Sequence, residues 1–214
     1  MVILGSDKWL CKHYMGNKTM SRLSRAEFRA MKSLPRRILQ KHYELPRVKR
    51  MGIRFNDKDV LEIGCGSGYG AELILKDTPR SYVGIDMMEA QIALAQKRGI
   101  QGADFRLEDA ATMQSIEDAS KDLIVIFGVL HHMQEWRVAL SECHRVLRSG
   151  GEMYVEEPAG KFLELFDGRW PHWDHPKEGR FSLRELTKSL TNAYFRILKL
   201  SSAFGFGFYR VQRI

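Results

Sequence analysis

Residues 60–70 read Val-Leu-Glu-Ile-Gly-Cys-Gly-Ser-Gly-Tyr-Gly, an apolar run that ends in glycine at every second position. A short apolar run of this kind is a buried strand, and bare glycines at its end let backbone N–H groups approach a ligand closely. A strand, a glycine turn and a helix together bring those amides and the positive helix end to the carboxyl edge of a parallel sheet.

The chain continues in the same alternation. Apolar runs predict strands over 59–63, 82–85, 103–107, 123–127 and 153–155, with helices over 71–76, 88–98 and 135–148, the last closed by Gly150 and Gly151. The run at 123–127, Leu-Ile-Val-Ile-Phe, lacks alternation, as expected for a central strand covered on both faces. Ser182 with Glu185 makes a capping box that starts a helix to about 190. Two strand-like runs follow, 195–200 and 204–211, too close in sequence for a crossover and therefore antiparallel. Ahead of the first strand, Ser24 and Glu27 form another capping box, with Phe28, Met31 and Ile38 at near-helical spacing. Pro35 divides this segment into two helices, and Gly52 ends it. The fold class is α/β, a doubly wound sheet with a reversed strand at its end and an N-terminal helical extension.

Glycine spacing alone does not identify the ligand. The dinucleotide fingerprint G-x-G-x-x-G begun at Gly64 needs glycine where Tyr69 stands. Begun at Gly66 it survives only in the looser form ending at Ala71, two residues late, which disfavours a nicotinamide dinucleotide. Asp86, at the end of the second strand and 18 residues after Gly68, is placed to accept both hydroxyls of a ribose. It is equally placed to cap the next helix with Glu89, and the two roles are compatible.

Together with Leu-Glu-Ile-Gly-Cys-Gly-Ser-Gly, four further segments occur in a set order: 84–95, 107–110, 122–133 and 144–158. Over residues 57–158 this series resembles the class I S-adenosylmethionine-dependent methyltransferases, and is most similar to those of the ubiquinone/menaquinone-biosynthesis type. The resemblance implies a Rossmann-like, seven-stranded sheet with a reversed C-terminal strand. It implies S-adenosyl-L-methionine as cofactor, S-adenosyl-L-homocysteine as product, and a small organic molecule as methyl acceptor. Gly64, Cys65, Gly66 and Gly68 would form the donor turn, and Glu62 would face the methionine ammonium. Asp86 would hold the ribose diol, Met87 would pack on the adenine, and Asp109 with the Ala110 N–H would meet its edge. Gly128 and Val129 would lie near the sulfonium. Carboxylates suit such a donor, which is cationic and carries no phosphate.

The chemistry needs alignment first, and a base only if the acceptor must lose a proton. His131 and His132, after the fourth strand, are the acceptor-side candidates, with Glu157 (and its neighbour Glu156) at the end of the fifth. Each is also readable as a structural hydrogen-bonding group. Residues 159–182 hold Phe162, Phe166, Trp170, His172, Trp173 and His175 and fill the place of an acceptor-side insertion. The spacing of His172, Asp174 and His175 matches no standard zinc site, so no metal is expected.

Charge is unevenly spread. The chain of 214 residues has a formal net charge of +8, yet residues 1–57 carry 14 Lys/Arg against 4 Asp/Glu, leaving the rest slightly acidic. This marks residues 1–56 as a basic extension or lid before a domain over 57–214. The basic stretch reads either as a solvated helix face or as an electrostatic footprint for RNA. Against an RNA methyltransferase, Gly-Val-Leu-His-His-Met follows the fourth strand, where base-methylating families carry an Asn/Asp-Pro-Pro-Tyr motif. A non-catalytic donor-binding protein is the other alternative. Residues 1–20 show no periodicity, and Met20 is a second candidate start. The longest apolar run, 123–130, is too short to span a membrane, and charges from Asp7 onward interrupt any signal-peptide core. Cys11, Cys65 and Cys143 form no C-x-x-C pair, which fits a reducing cytoplasm.

Overall fold

The computed structural model describes residues 33–164 and 179–214. The Ser24–Glu27 capping box, Phe28, Met31 and Cys11 lie outside the described residues, as do Phe166, Trp170, His172, Trp173, Asp174 and His175.

The described chain opens with a helical run. Ser33 caps it, its hydroxyl accepting from the Arg36 N–H at 3.3 Å, and Pro35 falls in the first turn, where its missing N–H is not needed. Helix α1 (Leu34–Leu39) continues through a wide turn, Gln40–Glu44, into α2 (Leu45–Arg50). In that turn the Leu45 N–H donates five residues back, to the Gln40 carbonyl. The extra residue precedes Pro46, whose ring would collide with a carbonyl in a regular helix, and so lets the run pass a proline without breaking.

The strands are β1 (Asp59–Ile63), β2 (Ser81–Asp86), β3 (Ala103–Leu107), β4 (Lys121–Phe127), β5 (Leu147–Pro158), β6 (Phe195–Ala203) and β7 (Phe206–Arg213). They form one sheet in the order β3-β2-β1-β4-β5-β7-β6. The first five are parallel, and β7 runs antiparallel to both β5 and β6. The expected seven-stranded sheet with a reversed strand is therefore the observed one. Helices α3 (Tyr69–Ile74), α4 (Glu89–Lys97), α5 (Trp136–Val146), α6 (Gly160–Leu163) and α7 (Leu183–Asn192) complete the layers, and the Ser182–Glu185 capping box forms as expected.

Each face of the sheet has its own core. Leu61, Ile63, Ile124 and Ile126 pack under Trp136 and Leu140 of α5 and Leu186 of α7. Val60, Val125, Tyr154 and Phe208 pack on the other face with Val48 of α2 and Ala71 of α3. Successive strand residues thus enter opposite cores, which explains the absence of polar alternation in β1 and β4. Among the described residues, no helix is long and apolar enough to cross a membrane.

Most boundaries fall within three residues of expectation, and the largest departure is at β5. The helix expected to reach residue 148 ends at Val146, and β5 begins at Leu147 rather than at 153. Arg148 is drawn to the amino edge of the sheet by Asp59 at 2.9 Å and Asp122 at 2.8 Å, carboxylates on β1 and β4. That long-range anchoring overrides the local helical pattern.

The chain leaves β1 toward β2 on one side and leaves β4 toward β5 on the other. The loops after β1 and β4 consequently diverge and open a crevice at their carboxyl ends, the usual ligand position in such sheets.

Candidate functional site

A cleft with about 660 Å³ of empty space, open to solvent, lies at that crevice. Its wall includes Gly64, Gly66, Asp86, Met87, Asp109, Ala110, Gly128, Val129 and His132, nine of the residues singled out in the sequence. Glu62, Cys65, Gly68, His131 and Glu157 are not part of the wall. Gln91, Glu108, Met88 and Met133 are, and sequence reasoning had assigned none of them a role.

The turn after β1 is built from three glycines in left-handed conformation, one open to the cleft and two packed against side chains. Gly66 (φ +52°) has open space where a side chain would begin, so its bareness serves the cleft. Gly64 (φ +72°) lies against the Val129 side chain, and Gly68 (φ +76°) lies against the Phe105 ring, where a Cβ would approach to 2.7 Å. Gly68 is thus a packing glycine that starts α3. Cys65 turns inward, and burial pushes its thiol up, out of the range of a ready nucleophile.

Asp86 fastens this turn to β2. One carboxylate oxygen accepts from the Gly66 N–H at 3.0 Å and the other from the Met88 N–H at 2.8 Å. Burial raises its pKa against the pull of those two amides. A carboxylate has about four acceptor positions, so lone pairs remain for a diol. Asp86 does not itself cap α4, whose first flanking residue is Met88. Asp109 accepts the Ala111 N–H at 2.8 Å through Oδ1, which leaves Oδ2 for a ligand.

Glu62 is buried below the cleft. It accepts from the Tyr82 hydroxyl, and its carboxylate occupies the space where a side chain at Gly70 would stand. Burial pushes its carboxyl up to about 7. Nearby, Glu44 of the wide helical turn pairs with Arg36 at 2.6 Å, and its Oε2 is buried without a partner among the described residues. Glu156 accepts from the Tyr154 hydroxyl at 2.9 Å and is raised by burial and then by the charge of Glu44.

Glu157, next in the chain but on the opposite face of β5, is fully buried. Its Oε1 accepts the Val129 and Leu130 N–H groups, both at 2.7 Å, and its Oε2 lies 2.8 Å from His131 Nδ1. Burial pushes its carboxyl up to about 8, against the opposing pull of those amides. The geometry makes it a clamp on the turn after β4 rather than a base facing the cleft. His131 is held in that clamp, and the His132 ring lies against it with centroids 4.0 Å apart.

Among the described residues, the lining side chains carry three carboxylates, Asp86, Glu108 and Asp109, and no Lys or Arg. A diphosphate would be repelled there, whereas a cationic, phosphate-free nucleoside fits.

Residues 61–155 match the methyltransferase domain family. A probable S-adenosylmethionine-dependent methyltransferase of Mycolicibacterium smegmatis is 41% identical over 149 residues, which cover 70% of this chain and 56% of that protein. The chain thus spans about half the length of that relative. The human thiol S-methyltransferase TMT1B is 28% identical over 212 residues, covering 94% of this chain and 82% of that protein. A crystal structure of a SAM-dependent methyltransferase from Aquifex aeolicus superposes with a TM-score of 0.72, at 16% identity, over 90% of this chain and all of that one. Residues 61–155 accordingly match a methyltransferase domain, carried on a sheet whose fold is shared with that solved structure.

Proposed function

We propose that this chain transfers a methyl group from S-adenosylmethionine to a small organic acceptor. The observation that carries the reading is the set of three carboxylates, Asp86, Glu108 and Asp109, that line a cleft at the point where the sheet reverses its order. When bound there, S-adenosylmethionine supplies a methyl carbon on a positively charged sulfur.

Asp86 then receives the ribose hydroxyls on its remaining lone pairs, and Gly66 leaves room for the donor to lie close to the backbone. Asp109 accepts from the adenine edge beside Ala110, and Met87 covers the ring. Gly128 and Val129 face the sulfonium. His132, on the same wall, takes the acceptor's proton, while Glu157 and His131 fix the turn that carries it. Glu62 lies beneath this wall and supports Tyr82, a role distinct from direct contact with the ammonium.

A thiol is the first acceptor class to test, since the human relative matching 94% of this chain is a thiol S-methyltransferase. RNA is the weaker reading. Several basic groups of α1 and α2 are engaged within the fold: Arg36 with Glu44, Lys49 with Asp77, and Arg37 and Arg47 over the rings of Tyr69 and Phe208. We place the protein in a reducing cytoplasm, which suits the free, buried Cys65 and Cys143. Residues 1–56 and 159–182 serve as a lid and an acceptor-side insertion, respectively.

Incubation with methyl-labelled donor tests the proposal, with small thiols first and then a metabolite extract. Wild type should transfer label and Asp86→Ala should lose at least about tenfold of that activity. Equal labelling by both proteins would contradict it.

A further inference from the structure

We infer that a second recess, at the amino edge of the sheet and so remote from the donor cleft, binds a small, multiply charged anion of the phosphate class. The recess holds about 820 Å³ of empty space and is open to solvent. Arg54 and Lys58, on the loop between α2 and β1, line it together with Asp122 of β4, Arg148 and Glu152 of β5, and Arg210 of β7. Strand β4 begins at this recess and ends at the donor cleft, where Gly128 follows it.

Four cations thus meet two carboxylates, and both carboxylates are already engaged. Glu152 takes Arg210 in a two-point pair, 3.0 Å from Nε and 2.8 Å from Nη2. Asp122 accepts the Asp59 N–H at 2.9 Å and pairs with Arg148 at 2.8 Å. What remains is cationic and accessible. Arg148 uses a single nitrogen, Nη1, for Asp59 and Asp122, and its Nε and Nη2 have no partner among the described residues. Arg54 likewise uses only Nη1, on the Lys49 and Ile53 carbonyls, and meets no carboxylate among the described residues. Lys58 is exposed, and its ammonium has no partner among the described residues.

Two guanidinium forks and an ammonium therefore offer unengaged donors to one recess. Donors set at separate points of a rim suit a tetrahedral oxyanion, whose oxygens diverge, better than a flat carboxylate. The cations line a recess rather than a stripe, which favours a compact anion over a nucleic-acid strand. The donor cleft has the opposite character, with three carboxylates on its wall, so the anion is directed to this edge. The inference does not depend on the donor reading.

Calorimetry of the full chain with inorganic tripolyphosphate at fixed ionic strength tests this, in wild type, Arg54→Ala/Lys58→Ala and Lys188→Ala. Lys188 is an exposed cation on α7, which packs on the other face of the sheet, and it controls for charge alone. Wild type should bind saturably, the double variant should lose about tenfold or more in affinity, and Lys188→Ala should change less than about twofold. A second titration with ATP tells a nucleotide (tighter than tripolyphosphate) from an inorganic phosphate (equal or weaker). Absence of saturable binding by wild type would overturn the inference. So would equal affinity in the double variant, an equal loss in Lys188→Ala, or binding of single-stranded RNA without binding of tripolyphosphate. Should the double variant fail to fold, Lys58→Glu decides by the same tenfold criterion.

Discussion

Glu157 and His131 are joined at 2.8 Å across the gap between β5 and the turn after β4, with the Glu157 carboxylate also holding the Val129 and Leu130 amides. A residue that stands next to the site in sequence therefore acts on it from behind, by fixing the backbone that carries Val129 and His132.

Replacing that clamp should be visible in two readouts. Glu157→Ala leaves the buried Leu130 N–H and the half-buried Val129 N–H unpaired, with an expected stability loss of roughly 1–3 kcal/mol for the buried one before any relaxation. Methyl transfer should fall with it. Thermal or urea unfolding that matches wild type would show that the clamp does not hold the turn.

His132 should differ from its neighbour. His132→Ala is expected to reduce kcat roughly 100-fold with an acceptor that must be deprotonated, while the affinity for S-adenosylhomocysteine changes little. His131→Ala should lower stability as well as activity, since it removes a partner of a buried carboxylate. Equal kcat for His132→Ala and wild type at neutral pH would remove His132 from the proton transfer.

The turn glycines separate binding from packing. Gly66→Ala meets open space and carries only the strain of a left-handed residue, roughly 1–2 kcal/mol, yet it sets a methyl group in the cleft. Gly68→Ala carries the same strain and also collides with the Phe105 ring. Gly66→Ala should therefore weaken donor binding more than Gly68→Ala and destabilise the fold less. The reverse ranking, by calorimetry and melting, would refute this division.

Buried carboxyls set a pH dependence. Glu62 is raised from 4.5 to about 7 and Glu157 from 4.5 to about 8, both chiefly by burial. A raised carboxyl holds its proton longer in the folded than in the unfolded state, so its contribution is complete below the ordinary value of 4.5 and is lost as pH rises through 7 to 8. Melting temperature should decline across that window, and Glu62→Gln should flatten part of the slope. A stability that climbs steadily between those limits would contradict the assignment.

Much of this was legible in the sequence. The strands over 59–63 and 103–107 match residue for residue, the first a mainly apolar run ended by Gly64, the second an apolar–charged alternation after Gly102. Nine wall residues were named from the glycine turn and from the family resemblance of the segments that follow β2, β3 and β4. Three features were not readable in the same way. The early start of β5 depends on Arg148 finding Asp59 and Asp122 far away in the chain. His131 and His132 are adjacent, and only the short turn Leu130–His132 sends one into the clamp and the other to the cleft wall. Gln91 carried a usable signal, a polar residue on the buried stripe of a helix, which helical spacing would have exposed. The opposite roles of Glu156 and Glu157 also follow from the two-residue period of a strand.

The central claim is that the cleft holds S-adenosylmethionine through Asp86. The most direct measurement is the calorimetric Kd for S-adenosylhomocysteine in wild type and Asp86→Ala, with NADH as the control ligand. The account predicts binding by wild type, a loss of roughly 10- to 100-fold in Asp86→Ala, and no heat with NADH. Tighter binding of NADH, or an Asp86→Ala affinity equal to wild type, would contradict it.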